Sequence, residues 1–349
     1  MAALPPPGAG SVRSELRIDL GALRRNVATL RRALDGAELW SVVKANAYGH
    51  GALDCGAAAL DAGATALCTA TVGEALALRS KLPVARLIVL GPYAPAELAQ
   101  AREAGLELVT ADGSIPEGVP VHVKIDTGMG RWGMSELPSA TRDVVGVMTH
   151  LATADTDLDF ARVQLERFRE ATASLTGLTR HAANSAAALR LPEARLDAAR
   201  CGIALYGLSP FGTDPREDGL EPVLSWRSEL ALVKLLRAGE STGYGRRFVA
   251  AHDTWIGVIP VGYADGFRRD LTGTEVLVAG ERRRVVGTVS MDAVVVELDR
   301  ELPAGTAVTI VGDSVLLEEH ARVAETITYE LACGLDRAPE RSGREVIES

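Results

Sequence analysis

Apolar residues fall at helical spacing through LGALRRNVATLRRAL (20–34), which predicts an amphipathic helix from Leu20. After it, short apolar runs alternate with helical patterns. The strand candidates are LWSVVKANA, TALCTA, RLIVLG, LELVTA, VPVHVKID, VVGVMTHL, LTRHAANS and ARCGIAL. Alanine-rich helical stretches such as ALDCGAAALDA, GEALALRS, PAELAQAREAG and LDFARVQLERFREATASL separate most of them, and the link between the fourth and fifth is short and turn-like. Eight strands, mostly separated by helices, predict a parallel α/β architecture. Eight is the number a (β/α)8 TIM-like barrel needs; an open doubly wound sheet is the alternative that counting leaves open.

The texture changes after GLSPFGTDPREDGLEP (207–222), a Gly- and Pro-dense stretch that reads as a linker. SWRSELALVKLL, TWIGVIPVGY, EVLVAGERRRVVGTVSMDAVVVEL and TAVTIVG then run as strands with turn signals between them, so a smaller, mainly-β C-terminal domain is expected. The division is a flexible Pro-, Gly- and Ala-rich tail over 1–13, a barrel over 14–215 and a β-rich domain over 216–349.

Composition narrows the function. The 349 residues are 47% hydrophobic and 24% charged, the balance of a soluble globular chain, and their net charge of −9 argues against a nucleic-acid surface. No apolar run approaches the ~20 residues that span a bilayer. The opening MAALPPPGAGSV lacks a basic n-region and an apolar core, so no membrane association and a cytoplasmic location are expected. Cys55, Cys68, Cys201 and Cys333 are too widely spaced for a zinc pair and read as free thiols; no metal is expected.

The lysine count says more. Only Lys44, Lys81, Lys124 and Lys234 are lysines among 37 basic residues, and Lys44 and Lys124 lie inside the strand-like runs SVVKANA and PVHVKID. A lysine where arginine would fail suggests amine chemistry, since lysine can be deprotonated and form a Schiff base; a snorkelling or paired structural lysine is the alternative. Gly128-Met-Gly-Arg-Trp-Gly133 matches a dinucleotide fingerprint, with Asp155 downstream. It follows the fifth strand candidate and does not open a first βαβ unit, which argues against a dinucleotide site.

The run VVKANAYGHG (42–51) resembles the pyridoxal-phosphate attachment motif of alanine racemases. KIDTGMGRWG (124–133), THLATAD (149–155), HAANS (181–185), RCGIALYG (200–207), PVGYADGFRR (260–269) and GTVSMD (287–292) resemble that family's blocks, in its order and across nearly the whole chain. The resemblance implies a barrel followed by a β domain, pyridoxal 5'-phosphate as cofactor, and interconversion of L- and D-alanine by two bases, supplying D-alanine for peptidoglycan. By it, Lys44 holds the cofactor and serves one face of the substrate Cα, while Tyr263, in the second domain, serves the other. An ordinary tyrosine ionises near ~10, so a base role needs help, which His150 and Arg200 supply by the same resemblance.

Arg200 would face the pyridine nitrogen, where a guanidinium donates a hydrogen bond without protonating the ring, weakening the electron sink in favour of quick reprotonation. Asn184, Ser185, Gly202, Ile203 and Tyr48 would hold the phosphate; Ser185 is equally suited to cap a helix, and the two roles are compatible. Arg131 would reach the cofactor and the substrate carboxylate, Met291 and Asp292 would close the carboxylate site, and Lys124 would be carbamylated and orient Arg131. The family's head-to-tail homodimer would bring Tyr263 to a neighbour's Lys44.

One departure stands near the C-terminus. The family has a tyrosine and then R-V-P-R; here Asp336 or Arg337 lies at the matching place, which leaves the strictness of substrate choice open. A serine or broader-specificity racemase is the nearest alternative. A non-catalytic pyridoxal-phosphate barrel protein would lack the GYADG block, and a barrel-type decarboxylase would pair the pyridine nitrogen with a carboxylate where Arg200 stands.

Overall fold

The computed structural model describes residues 13–137, 142–335 and 340–349, and the chain forms two compact units. It opens on a strand, β1 (Ser14–Asp19), followed by the expected helix, Leu20–Leu34. Eight strands then close into a parallel barrel: β2 (Glu38–Val42), β3 (Ala66–Thr69), β4 (Leu87–Val89), β5 (Glu107–Thr110), β6 (Val121–Lys124), β7 (Val144–Met148), β8 (Thr179–His181) and β9 (Ala198–Cys201), with β9 pairing back onto β2. Six fall within their predicted runs, and β2 and β9 each start one residue before theirs, at Glu38 and Ala198. All residues of β3, β4, β6 and β9 are buried, as strands inside a barrel with helices outside must be, so His122 and Lys124 of β6 and Arg200 of β9 are buried polar groups.

Helices Ala52–Asp61, Val72–Arg79 and Leu158–Thr172 form where the alanine-rich patterns predict them. Thr71 accepts from the Glu74 N–H while the Glu74 carboxylate returns to the Thr71 N–H, so Val72–Arg79 starts on a capping box. Asp157 caps Leu158–Thr172 through the Asp159 and Phe160 N–H groups. The outer layer is incomplete: no helix joins β5 to β6, and the described residues between β6 and β7 hold none. The Gly- and Pro-rich sequences there, ADGSIPEGVP and DTGMGRWGM, favour turns.

The other unit is a nine-stranded, mainly antiparallel sheet. Its remaining strands are β10 (Leu224–Glu229), β11 (Leu232–Leu236), β14 (Thr254–Ile259), β15 (Glu275–Val278), β16 (Glu281–Val286), β17 (Val294–Leu298), β18 (Ala307–Val311) and β19 (Ser342–Ile347), with β12 (Ser241–Thr242) and β13 (Phe248–Val249) forming a separate ribbon. The sheet order is β11-β14-β17-β16-β15-β18-β10-β1-β19. Trp226 and Phe267 are buried in this unit, their rings 6.2 Å apart.

The boundary expected at residue 14 is drawn differently. The barrel unit comprises 22–211 and 215–221, and β1 belongs to the sheet of the other unit. There it pairs antiparallel with β10 and parallel with β19, and Ser14 Oγ lies 2.7 Å from Ser342 Oγ in a buried hydrogen bond. Leu16 and Ile18 are buried while Glu15 and Arg17 are half-buried, the alternation of a strand with one covered face. Cys55, Cys68 and Cys201 are buried and Cys333 is exposed. Among the described residues no helix is long and apolar enough to cross a membrane.

Candidate active site

The C-terminal ends of the barrel strands collect most of the residues singled out in the sequence, which is where barrel enzymes place their chemistry. Lys44 lies two residues beyond β2, Lys124 ends β6, His150 lies two beyond β7, Asn184 and Ser185 follow β8, and Gly202 follows β9. After Lys44 the chain makes an unusual turn. Ala45, Asn46, Ala47 and Tyr48 all have φ between 49° and 56°, a left-handed turn in L-residues. The turn is held from several sides: the Ala45 N–H donates to Glu74 Oε1 (2.8 Å), Asn46 Oδ1 accepts from the Ala52 N–H (2.8 Å), and Gly49, with φ 95°, closes it. Strain of this kind persists only where the surroundings impose it, and it concentrates at functional sites.

Tyr48 ends the turn buried, its ring 5.3 Å from that of Tyr206. A Cβ at residue 202 would sit 2.4 Å from the Tyr48 hydroxyl, so Gly202 is required for that close approach. The N–H groups of Gly202 and Ala204 donate to Ser185 Oγ (2.9 and 3.4 Å), and Ile203 opens the 3-10 turn Ile203–Tyr206. Asn184, and not Ser185, caps the short helix Ser185–Arg190, its Oδ1 accepting from the Ala187 N–H (3.0 Å). The Ser185 hydroxyl is thereby left to the β9 loop.

Arg200 is buried within β9. Its Nη1 donates to His181 Nδ1 (2.7 Å) and the His181 carbonyl (2.9 Å), and its Nη2 to the carbonyls of Thr149 (2.7 Å) and Ala182 (3.1 Å). His150 Nδ1 lies 3.5 Å from Nη2. No carboxylate hydrogen-bonds to the guanidinium, and its Nε–H has no partner among the described residues. Burial draws Arg200 down to about 10, so it remains a cation at neutrality. Burial, with the charges of Arg200, Lys124, Lys44 and Arg131, pushes His150 down to about 3 and leaves it neutral. The site is therefore a cluster of cations around a neutral imidazole, suited to an anionic or electron-rich ligand.

Lys124 is buried, and burial together with Arg200 and Arg131 lowers its amine to about 8. Arg131 and Lys124 lie 5.1 and 5.8 Å from the Trp132 ring centre. Both line a cavity of about 570 Å³ walled by Tyr93, Ile115 and Trp132, of which Lys44 and Arg200 are not lining residues. The loop that resembles a dinucleotide fingerprint is closed on itself: Asp126 accepts from the N–H groups of Gly128, Met129 and Gly130, so those donors are already used.

The remaining predicted residues sit together in the other unit. Tyr263 is 44% exposed, at the start of the 3-10 turn Tyr263–Asp265, and its N–H donates to the Ser290 carbonyl (3.1 Å). The Ala264 N–H donates to the Met291 carbonyl (3.1 Å), and a Cβ at Gly262 would meet the Ser290 and Met291 carbonyls at 2.3–2.4 Å, so the two loops are in tight contact. The Asp292 carboxylate is engaged by Arg341 (2.9 Å) and Arg13 (3.2 Å), and Arg341 also grips buried Asp265 (2.9 and 3.1 Å). Asp292 thus shapes the turn as a paired acid. Asp336 and Arg337, at the place of the family's tyrosine, lie outside the described residues.

Several residues beside the predicted ones were given no role in the sequence: His122, Glu107 and Arg86 behind Arg200, His181 although it opens the HAANS block, and Arg341 behind Tyr263. His122 had a readable signal. It stands two residues before Lys124 in an apolar run, hence on the same face of the strand.

A closed parallel barrel with an amine and a guanidinium at the C-terminal ends of its strands, followed by a mainly-β unit, defines a two-unit barrel protein. Comparison with known proteins gives the family. Residues 18–210 match the alanine racemase N-terminal domain and 223–342 the alanine racemase C-terminal domain, and the chain belongs to the alanine racemase family. It is 41% identical to alanine racemase 1 of Bacillus subtilis (strain 168) over 350 residues, covering 90% of this chain and 89% of that protein. It is 40% identical to the alanine racemase of Geobacillus stearothermophilus, covering 90% and 89%. Among solved structures, the alanine racemase from Streptomyces coelicolor A3(2) superposes with a TM-score of 0.89 at 36% identity, covering 97% of this chain and 98% of that one.

Proposed function

We propose that the protein is a pyridoxal-phosphate-dependent racemase that interconverts L- and D-alanine with Lys44 and Tyr263 as its two bases. The observation that carries the reading is Arg200: a buried guanidinium with four N–H groups committed to protein acceptors, no carboxylate partner, and one N–H left over. That remaining donor suits a pyridine nitrogen. Gly202, which leaves room for the Tyr48 hydroxyl, and Ser185 beside it suit a phosphate. The donor set fits pyridoxal 5'-phosphate.

Lys44 would hold the cofactor through its amine; Tyr48, Asn184, Ser185, Gly202 and Ile203 would bind its phosphate, and Arg200 its ring nitrogen. Bound there, the cofactor supplies an electron sink for the substrate Cα. Arg131 and the turn of Met291 and Asp292 hold the substrate carboxylate. The Lys44 amine takes or returns the Cα proton on one face, and the Tyr263 hydroxyl does so on the other, assisted by His150 and Arg200. Carbamylated Lys124 turns a repulsive neighbour of Arg131 into an attractive one. Lys44 and Tyr263 are carried by separate units, and we assign their meeting to a head-to-tail homodimer. The absence of an acid at Arg200 disfavours decarboxylation, and the family match across both units favours alanine. Such an enzyme would work in the cytoplasm, supplying D-alanine for peptidoglycan.

The test is racemisation of L-alanine by the cofactor-loaded protein, followed by chiral chromatography. Lys44→Ala and Tyr263→Phe should each lower the rate by about a hundredfold or more. Mixing and refolding the two variants together should restore about a quarter of the wild-type rate, since half the dimers would be mixed and each would hold one intact site. A wild-type protein that loads the cofactor and leaves L-alanine unchanged contradicts the proposal.

A further inference from the structure

Behind Arg200 a file of buried polar side chains crosses the barrel. His181 Nε2 lies 2.9 Å from His122 Nδ1, His122 Nε2 lies 2.8 Å from Glu107 Oε2, and Glu107 is clamped by Arg86 through Nε (2.7 Å) and Nη2 (2.9 Å). His122 and His181 are fully buried, and the Trp40 ring packs against both, its centre 5.5 and 4.5 Å from theirs. Gly146 makes room for the file: a Cβ there would lie 2.2 Å from His122 Nδ1.

The proton positions follow from donor and acceptor chemistry. Burial pushes the Glu107 carboxyl up, but the hydrogen bonds from His122 and Arg86 outweigh it and hold the group at about 2, so it is an acceptor only. Burial lowers both imidazoles, so each is neutral and carries one N–H. His122 must therefore donate from Nε2 to Glu107, which leaves Nδ1 a lone pair. His181 must donate from Nε2 to that lone pair, which leaves its own Nδ1 to accept from Arg200. The opposite tautomers would set two N–H groups against each other 2.7 Å apart at Arg200. Because Arg86 already balances the Glu107 charge, the file brings no net negative charge towards Arg200.

We propose that Glu107 and His122 are positioning residues for Arg200: through the tautomer of His181 they aim its Nη1 at an imidazole lone pair and keep its Nε–H for the cofactor's ring nitrogen. This rests on the reading of Arg200 given above. It makes the electronic state of the ring depend on a carboxylate at the other end of a four-residue chain.

Two measurements test it. The first needs no turnover: long-range proton–nitrogen NMR of the imidazoles, in the protein with and without cofactor. His122 and His181 should both appear as Nε2–H tautomers between about pH 6 and pH 8; an Nδ1–H on either, or a charged ring, overturns the proposal. The second compares Glu107→Leu, Glu107→Gln and Gly146→Ala, each loaded with cofactor labelled at the ring nitrogen. Glu107→Leu and Gly146→Ala should shift the ring-nitrogen signal and lower kcat about ten- to a hundredfold with KM within about twofold. Glu107→Gln keeps an acceptor oxygen and should recover most of both. A Glu107→Leu protein that folds and keeps the wild-type ring-nitrogen signal and kcat also overturns it. Wild-type protein with both tautomers as stated but no racemisation would instead count against the functional reading.

Discussion

Among single residues, two of the four lysines, Lys44 and Lys124, stand at the C-terminal ends of barrel strands. At about 8, the Lys124 amine is neutral for a sizeable fraction of the time near neutrality, the form that can add carbon dioxide. An ammonium and a guanidinium ~4 Å apart repel by about 4 kcal/mol at an effective ε of 20, and a carbamate reverses the sign. Carbon-13 NMR of protein equilibrated with labelled bicarbonate should show a carbamate at pH 8 that fades as the pH falls and the ammonium takes over. Lys124→Ala should remove the signal and slow racemisation about tenfold or more, with partial rescue by acetate. A bare amine in a fully active enzyme would show that Lys124 has another role. Lysine scarcity made Lys44 and Lys124 legible in the sequence. The file behind Arg200 was not, because Arg86, Glu107, His122 and His181 come from four different strands or strand ends and meet only when the barrel closes. Arg341 was hidden for the same reason, since its partners Asp265 and Asp292 are distant in sequence.

Among the elements, most barrel strands were legible because they lie in short, largely apolar runs that are mostly buried, and the helices because their alanine-rich patterns repeat at helical spacing. β1 was not read as a strand, although Ser14–Asp19 alternates. Its partners, β10 and β19, lie some 200 and 330 residues away along the chain, and no local pattern announces such pairing. The left-handed turn after Lys44 was also invisible, since alanine and tyrosine do not favour positive φ. It carries a testable energy. Left-handed backbone costs an L-residue about 1–2 kcal/mol, and glycine's extra freedom in the unfolded chain offsets about 0.4–1 of that. Ala45 is exposed at φ 51°, so Ala45→Gly should stabilise the protein by about 0.5–1 kcal/mol and Ala45→Val should destabilise it. Thermal unfolding of the two variants decides this; equal midpoints would mean the turn is not strained at that position.

Across the whole molecule, the predicted site residues are divided between two units. The barrel unit holds Lys44, the cation cluster and the file of polar side chains behind Arg200, while the sheet unit, which takes strands from both ends of the chain, carries Tyr263 on a turn braced by Asp265, Arg341 and Asp292. On the proposed function each unit supplies one base, one for each face of the substrate Cα. Hydrogen exchange at that carbon in deuterium oxide tests it most directly, with cofactor-loaded protein and L- or D-alanine, read by proton NMR of both enantiomers. The wild type should label both enantiomers at Cα, and Tyr263→Phe should still bind the cofactor and exchange one enantiomer while losing the other and all racemisation. Equal residual exchange of both enantiomers in Tyr263→Phe, or no exchange in a cofactor-loaded wild type, would contradict it.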